Sequence, residues 1–334
     1  MHATAEQFRP LAGRSAWILT NGAAGMDVQT RGLADALGLA CEMKPIAPKG
    51  LFRILSPWAP VARGERFGEA DSSFAPPWPQ VAIALGRTSV PYLRALRRRS
   101  PATFTVLMLD TRSGRSAADV IWVPQHDQLR GPNVIATLTA PHGFTAARLS
   151  ALRQTIPPAI ASLPTPRVAV ILGGKNAAYR FRPSDDARFA EALRSLGALG
   201  ASFMITPSRR THQRLIDVTE AATRAYPRIF WKGEGANPYP DFLAHADALV
   251  VTADSVNMTG EAAATGRPVL VFEPSGGSAK FRRFHAALTA YGATRPLPGA
   301  VAQLPDWTYE PLHSADIIAR EIERRWLTCK RVHP

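Results

Sequence analysis

Several short stretches carry residues that could hold an anion. The segment Ala-Asp-Ser-Val-Asn-Met-Thr-Gly-Glu (253–261) lies between apolar runs at 248–251 and 269–272. Those runs read as strands buried on both faces, and the segment between them as a polar turn followed by a helix that stops at Gly266. Ser255 or Asn257 can cap that helix. A strand, a polar turn and a helix start present backbone N–H groups and a positive dipole end to a diphosphate. Inside the helix, the Glu261 carboxylate could accept hydrogen bonds from two ribose hydroxyls. On spacing alone, an ordinary exposed helix glutamate is the better reading. Gly173 and Gly174 end another apolar run (168–172), and without a Cβ they would let a phosphate approach the backbone. Ser208, Arg209 and Arg210 end a third run (202–206), where a guanidinium can clamp a diphosphate through two parallel bonds. An isolated Arg-Arg pair is usually solvated surface, but strand ends and a helix start in one parallel domain make phosphate recognition the better joint explanation.

The N-terminal half repeats the pattern more weakly. A strand at 16–20 runs into Asn21-Gly22-Ala-Ala-Gly25-Met-Asp27, and a helix with Val28, Leu33 and Leu37 ends at Gly38. Gly22 and Gly25 lack the third glycine of a dinucleotide fingerprint. Further strands at 81–85, 104–109, 120–123 and 133–137 argue a parallel, doubly wound sheet. Ligands gather at the carboxyl ends of such strands, so the turns at Gly22, Gly86, Asp110 and His126 are expected along one crevice. His126 beside Asp127 suggests an acid/base pair, but neighbours on a strand point to opposite faces, which favours a structural histidine. Between 50 and 79 periodicity fails. The apolar 51–58, then Arg63 and Arg66 among prolines, read as a helix and an irregular excursion. It could touch a membrane or an acceptor, with packing under the first domain favoured.

The 334 residues suffice for two cores, and 46% hydrophobic with 20% charged residues is the composition of a globular protein. The proline-punctuated 149–166 reads as the connection. The expected organisation is a first domain at 1–150, a linker at 151–166, a second domain at 167–311 and a C-terminal segment at 312–334. A formal net charge of +14 is spread over both halves, which favours anionic partners: phosphates or an acidic membrane surface. Nucleic acid is not expected, since no zinc finger, helix-turn-helix or RNP pattern accompanies the charge. No run approaches a bilayer span, 1–15 holds no signal-like apolar core, and two cysteines without partner spacing fit a reducing cytoplasm. No metal site is expected, because the histidines are scattered, and no Gly-x-Ser-x-Gly elbow occurs.

Gly-Gly-Lys-Asn (173–176), Thr-Pro-Ser-Arg-Arg-Thr (206–211), Asn-Pro-Tyr (237–239) and Val-Thr-Ala-Asp-Ser-Val-Asn-Met-Thr-Gly-Glu-Ala (251–262) resemble the "elongated mitochondria" family of mitochondrial fission. Val-Pro-Gln-His-Asp (123–127), Gly-Pro-Asn-Val-Ile (131–135) and Lys280 extend the match over nearly the whole chain. Bacterial members of that family are commonly labelled nucleoside-diphosphate-sugar epimerase-like. The family resembles GT-B glycosyltransferases and sugar-nucleotide 2-epimerases. The resemblance implies an α/β fold of two Rossmann-like domains facing a cleft, with a final helix at 315–326 returning to the first domain. It also implies a nucleotide-diphosphate-sugar as substrate or ligand, with no other cofactor. Gly173 and Gly174 would face the diphosphate and Glu261 the ribose, which reverses the weighing of that glutamate. Lys175, Asn176, Asn237, Tyr239, Met258, Thr259 and Lys280 join the binding set as members of the matched motifs. The related transferase carries a histidine in its first glycine turn, where this chain has Gly25-Met26-Asp27.

The expected activity is metal-independent sugar transfer to an envelope or lipid acceptor, with Asp27 or His126 as the base. The protein would be cytoplasmic or peripheral on an anionic membrane. The alternatives are an epimerase on the same donor, or a non-catalytic adaptor with a protein partner.

Overall fold

The computed structural model describes residues 9–61, 65, 67–69 and 71–329. Arg63, Arg66 and the first eight residues, on which part of the sequence reading rests, lie outside them.

The chain divides into two compact units, 1–143 with 314–334, and 144–313. In the first, β1 (Ser15–Thr20) leads into α1 (Ala24–Leu37), which ends on Gly38 at φ 65°, a left-handed cap that costs glycine nothing. β2 (Ala40–Pro45) and a one-turn helix α2 (Gly50–Ile54) precede β3 (Val81–Leu85), α3 (Val90–Arg99), β4 (Phe104–Met108), β5 (Val120–Pro124) and β6 (Val134–Thr137). All six strands are parallel in the order β2-β1-β3-β4-β5-β6. The turns at Gly22, Gly86, Leu109–Asp110 and His126 therefore follow four adjacent strands at one edge.

The second unit opens with α4 (Ala146–Arg153), which straddles the boundary expected at 150, and the short α5 (Pro158–Ala161), inside the stretch expected as a linker. Leu149, Ile160 and Leu163 pack into its core there. Then come β7 (Arg167–Leu172), α6 (Pro183–Ala198), β8 (Ser202–Pro207), α7 (Gln213–Thr223), β9 (Arg228–Phe230), α8 (Tyr239–His245), β10 (Ala248–Thr252), α9 (Val256–Ala263), β11 (Val269–Phe272), α10 (Ala279–Tyr291) and β12 (Thr294–Pro296). This sheet is also parallel, ordered β12-β11-β10-β7-β8-β9. The final helix, α11 (Ser314–Leu327), packs on α1 in the first unit.

The strand sequences dictate this arrangement. β3, β4, β5 and β10 are buried at every position, so both faces of each sheet must be covered. In the first unit, one face packs Ile18, Ile83, Val106 and Trp122 against Leu33 and Leu37 of α1 and Ile318, Ile322 and Trp326 of α11. The other packs Trp17, Ala84 and Leu107 against Tyr92, Leu93 and Leu96, with Phe67 and Phe74 of the irregular excursion stacked on each other. The excursion thus packs under the first sheet at those phenylalanines. Among the described residues, no helix is long and apolar enough to cross a membrane.

The packing of α11 can be tested directly. Ile322 is fully buried, whereas Ile317 on the same helix is 46% exposed. Ile322→Ala is expected to lower the stability of the first unit by about 2–5 kcal/mol. Ile317→Ala is expected to change it by no more than about 0.5 kcal/mol. Urea unfolding curves of the two variants should separate widely, and coincident curves would mean that α11 is not part of that core.

Candidate functional site

In each sheet the strand order reverses direction at one place. In the second unit this switch point lies between β7 and β10, the position where open parallel sheets leave a crevice. Gly173 and Gly174 leave β7 there, and Asp254 and Ser255 leave β10 beside them. Two expected site segments, 80 residues apart in sequence, are joined by this geometry.

The side chain at the centre of the junction is Asp254, 3% exposed. Its carboxylate accepts from the Gly174 N–H at 2.9 Å, the Thr252 hydroxyl at 2.7 Å and Arg210 Nη2 at 3.3 Å. The Thr252 hydroxyl oxygen in turn accepts the Gly173 N–H at 2.7 Å. Asn176 donates to the Asp254 carbonyl at 3.0 Å and accepts the N–H groups of Ala178 and Tyr179. Burial pushes the Asp254 carboxyl above its ordinary value, and the Gly174 N–H, Thr252 and Arg210 oppose that shift.

This network gives the glycine pair a second reason to be glycine. A Cβ on Gly173 would sit 2.1 Å from Asp254 Oδ1, and one on Gly174 would sit 1.9 Å from the carbonyl oxygen of Arg210. The space left by the missing side chains is filled by protein, and both N–H groups have partners within the chain. Ser208 and Thr211 complete the next strand end: Thr211 Oγ1 accepts the Ser208 N–H at 2.9 Å and donates to the Gly173 carbonyl at 2.6 Å. Arg209, Lys175 and Lys280 are exposed, and Arg210 is half-exposed with its guanidinium on Asp254.

Ser255 is the N-cap of α9, its hydroxyl accepting the Met258 N–H at 3.3 Å, as the polar turn predicted. Thr259 is buried and bonds back to the Ser255 carbonyl. Farther along α9, Glu261 is 7% exposed, so the reading of an ordinary exposed helix glutamate is corrected. Its Oε2 accepts the Tyr239 hydroxyl at 2.5 Å. Tyr239 starts α8, its N–H held by Asn237 Oδ1 at 3.1 Å, and its ring meets Phe144 edge-on at 5.8 Å. Phe144 carries the Arg148 guanidinium over its face at 4.8 Å. Burial pushes the Glu261 carboxyl up to about 7, against the Tyr239 hydrogen bond and the charge of Arg148. The Tyr239 phenol is held well above its ordinary value by burial and by that carboxylate.

In the first unit, Asp27 lies in the first turn of α1 and accepts the hydroxyl of Thr20, whose oxygen also accepts the Gly22 N–H at 3.0 Å. Gly22 and Gly25 are exposed, and His126 is buried in the turn after β5. β3 and β4 lie between β1 and β5, so three interstrand steps place Asp27 and His126 roughly 14 Å apart along the sheet edge. The switch point of this sheet, between β1 and β3, opens into a cavity of about 980 Å³ lined by Asn21, Ile46, Arg53, Ile54 and Arg87 among others. Asp254, Thr252, Phe144 and Arg148 were missed as members of the arrangement. The signal for Asp254 was an acid placed between a buried strand and a helix cap.

The profile of the family described as Mitochondrial fission ELM1 matches residues 24–326. The Mitochondrial fission protein ELM1 of Arabidopsis thaliana is 28% identical over 271 residues, which is 74% of this chain and 64% of that protein. The match thus spans less than two-thirds of that relative's length. Among solved structures, a Listeria monocytogenes protein assigned as a UDP-N-acetylglucosamine 2-epimerase aligns with a TM-score of 0.52 at 11% identity, covering 96% of this chain and 90% of that one. MurG of Acinetobacter baumannii aligns at 0.50 and 12% identity, covering 96% and 95%. At such identities the likeness concerns the fold, which is the GT-B type of two parallel Rossmann-like units.

Two outcomes follow from this geometry. Gly173→Ala forces its methyl into the Asp254 carboxylate and is expected to destabilise the second unit by about 1–3 kcal/mol, read as a lower melting temperature. An unchanged melting temperature would show that the Asp254 contact is easily displaced. For Glu261, the carboxyl goes from 4.5 unfolded to about 7 folded. Its contribution to stability is complete below the lower value and is lost as pH rises through the upper one. Glu261→Gln should therefore stabilise the protein by roughly 1–3 kcal/mol near pH 8 and by almost nothing near pH 4, measured by urea unfolding at both.

Proposed function

The chain belongs to the Mitochondrial fission ELM1 family, and on that footing we propose that it binds a nucleotide-diphosphate-sugar in its second unit and transfers the sugar, without metal, to an acceptor hydroxyl of an envelope or lipid molecule. The observation that carries the reading is α9. One short helix has a serine-capped N-terminus at the switch point and a buried carboxylate, Glu261, on the same element. Its dipole and Arg210 suit the charge on a departing diphosphate, and Glu261 suits a pair of ribose hydroxyls. In the transfer, the acceptor oxygen forms a bond to the anomeric carbon as the bond from that carbon to the diphosphate oxygen breaks. The acceptor proton passes to a base, for which Asp27 or His126 is proposed. Ser208, Arg209, Lys175, Asn176 and Lys280 are the proposed polar surroundings of the diphosphate. Epimerisation of the same donor would use the same binding residues.

A second reading, the non-catalytic adaptor, is favoured by one observation. The Asp254 carboxylate already holds the Gly174 N–H and fills the space at Gly173, while Thr252 holds the Gly173 N–H and the Arg210 carbonyl fills the space at Gly174. Under the transfer reading this carboxylate must yield, together with Arg210, when a diphosphate arrives. Under the adaptor reading it remains as a permanent internal anion, and protein binding replaces chemistry.

Calorimetric titration with uridine diphosphate and other nucleoside diphosphates separates the readings. Binding by the wild type is expected to weaken by roughly ten- to a hundredfold in Glu261→Gln, the value of a hydrogen bond to a charged group. Unchanged affinity in that variant would remove Glu261 from the site. A wild type that binds none of the nucleotides would favour the adaptor. Any transfer activity is expected to survive EDTA, and its loss with rescue by Mg²⁺ or Mn²⁺ would count against the metal-free mechanism.

A further inference from the structure

Between β2 and β3 the first unit carries a short apolar face that its own core leaves uncovered. Leu51, Ile54, Leu55 and Trp58 are between 56% and 70% exposed. Leu51 and Ile54 lie in α2, Leu55 caps it, and Trp58 stands in the turn that follows, with Leu55 N bonding to the Leu51 carbonyl and Trp58 N to that of Leu55. Leu51, Ile54 and Leu55, three and four residues apart, share one side of that helical turn. Ser56, Pro57 and Ala59, between and beyond them, are buried. The segment is therefore anchored at those three residues, while no residue of α2 itself is buried.

Arginines fix it there. Arg87 donates through Nη2 to the carbonyls of Ile54 at 2.5 Å and Arg53 at 3.3 Å. Arg94 donates to the carbonyls of Pro57 at 3.0 Å and Trp58 at 3.4 Å. Arg53, Arg87 and Arg98 are themselves exposed. Arg94 also lines a second, smaller cavity of about 250 Å³ with Arg97 and Arg98, and among the described residues neither this cavity nor the larger one beside α2 is lined by an acidic side chain. Two described carboxylates reach residues that line these cavities and are already paired: Glu65 with the Ala47 N–H and Tyr92, and Asp119 with Thr105 and, at 3.7 Å, Arg97.

From this juxtaposition we propose that the face formed by Leu51, Ile54, Leu55 and Trp58, flanked by Arg53, Arg87 and Arg98, docks on an anionic lipid bilayer. The apolar side chains enter the headgroup and acyl boundary, an indole is at home at that depth, and the guanidiniums reach lipid phosphates. Charge complementarity selects this occupant: an apolar centre bordered by cations, in a chain of net charge +14, matches a surface that is apolar within and negative at its edge. A partner protein or a second copy would need a compensating acidic border. The proposal is independent of nucleotide binding, because every residue it uses lies in the first unit.

The test is co-sedimentation of the full chain with vesicles rich in phosphatidylglycerol and with vesicles of phosphatidylcholine alone, at low and high salt. Binding is expected on the anionic vesicles only, to weaken steeply with salt, and to fall at least tenfold in Leu51→Gln/Leu55→Gln/Trp58→Gln. These side chains are exposed, so that variant should melt with the wild type. Arg98→Glu, which leaves the apolar face intact, is expected to weaken binding severalfold. Equal binding by wild type and triple variant, equal binding to both vesicle types, or none at low salt would overturn the proposal. So would light scattering showing a wild-type dimer that the triple variant loses, because the occupant would then be a second copy.

Discussion

A parallel strand buried on both faces has no side chain left to offer solvent. β3, β4, β5 and β10 are such strands, and the sheets built from them can present chemistry only where the strands end. Among those ends, the switch points alone have neighbouring loops that turn away to opposite faces. The Gly173, Asp254 and Ser255 junction in one unit and the cavity beside Asn21 and Arg87 in the other are both consequences of strand order. Neither needs a separate cause.

What happens at the second unit's switch point is decided by one carboxylate. Asp254 ties the turn after β7, the end of β10 and the start of α9 to one another, with Arg210 supplying the counter-charge across 44 residues. A buried anion with several donors holds loops more firmly than neutral hydrogen bonds would, and it leaves an uncompensated charge if any of those donors is lost. The same arrangement gives α9 a fixed starting point. Glu261, less than two turns farther along, is therefore delivered to Tyr239 in a set position.

The strands with contiguous apolar runs were legible to within a residue or so, as was the helix stop at Gly38, whereas α9 ends at Ala263, short of the stop expected at Gly266. β2 and β12 were not. Ala-Cys-Glu-Met-Lys-Pro (40–45) and Thr294–Pro296 are edge strands, held by backbone pairing on one side and largely exposed, so they carry no apolar signature. α5 was hidden by Pro157 and Pro158, which suggested a linker, and α4 by its lack of an apolar run, Leu149 being its one buried residue. At the site, the Ser255 cap was readable because capping is local. The burial of Glu261 was not, because Tyr239 lies 22 residues away and Phe144 farther still. Asp254 was in plain view within the quoted motif, yet its role depends on Gly174, 80 residues earlier. Pairings of that range belong to the sheet order and not to any window of sequence.

The placement of α11 has a consequence for the birth of the molecule. The first unit is discontinuous: its six strands emerge early from the ribosome, but the helix that packs on Leu33 and Leu37 is translated only after all of the second unit. During synthesis the continuous unit, 144–313, can close first, while the apolar side chains that α11 covers beside α1 wait open. The nascent chain therefore reverses the usual N-to-C order of domain completion. A ribosome that stalls before Ser314 releases a chain with an open flank that chaperones and proteases can read, which makes the last helix a seal certifying that translation reached it.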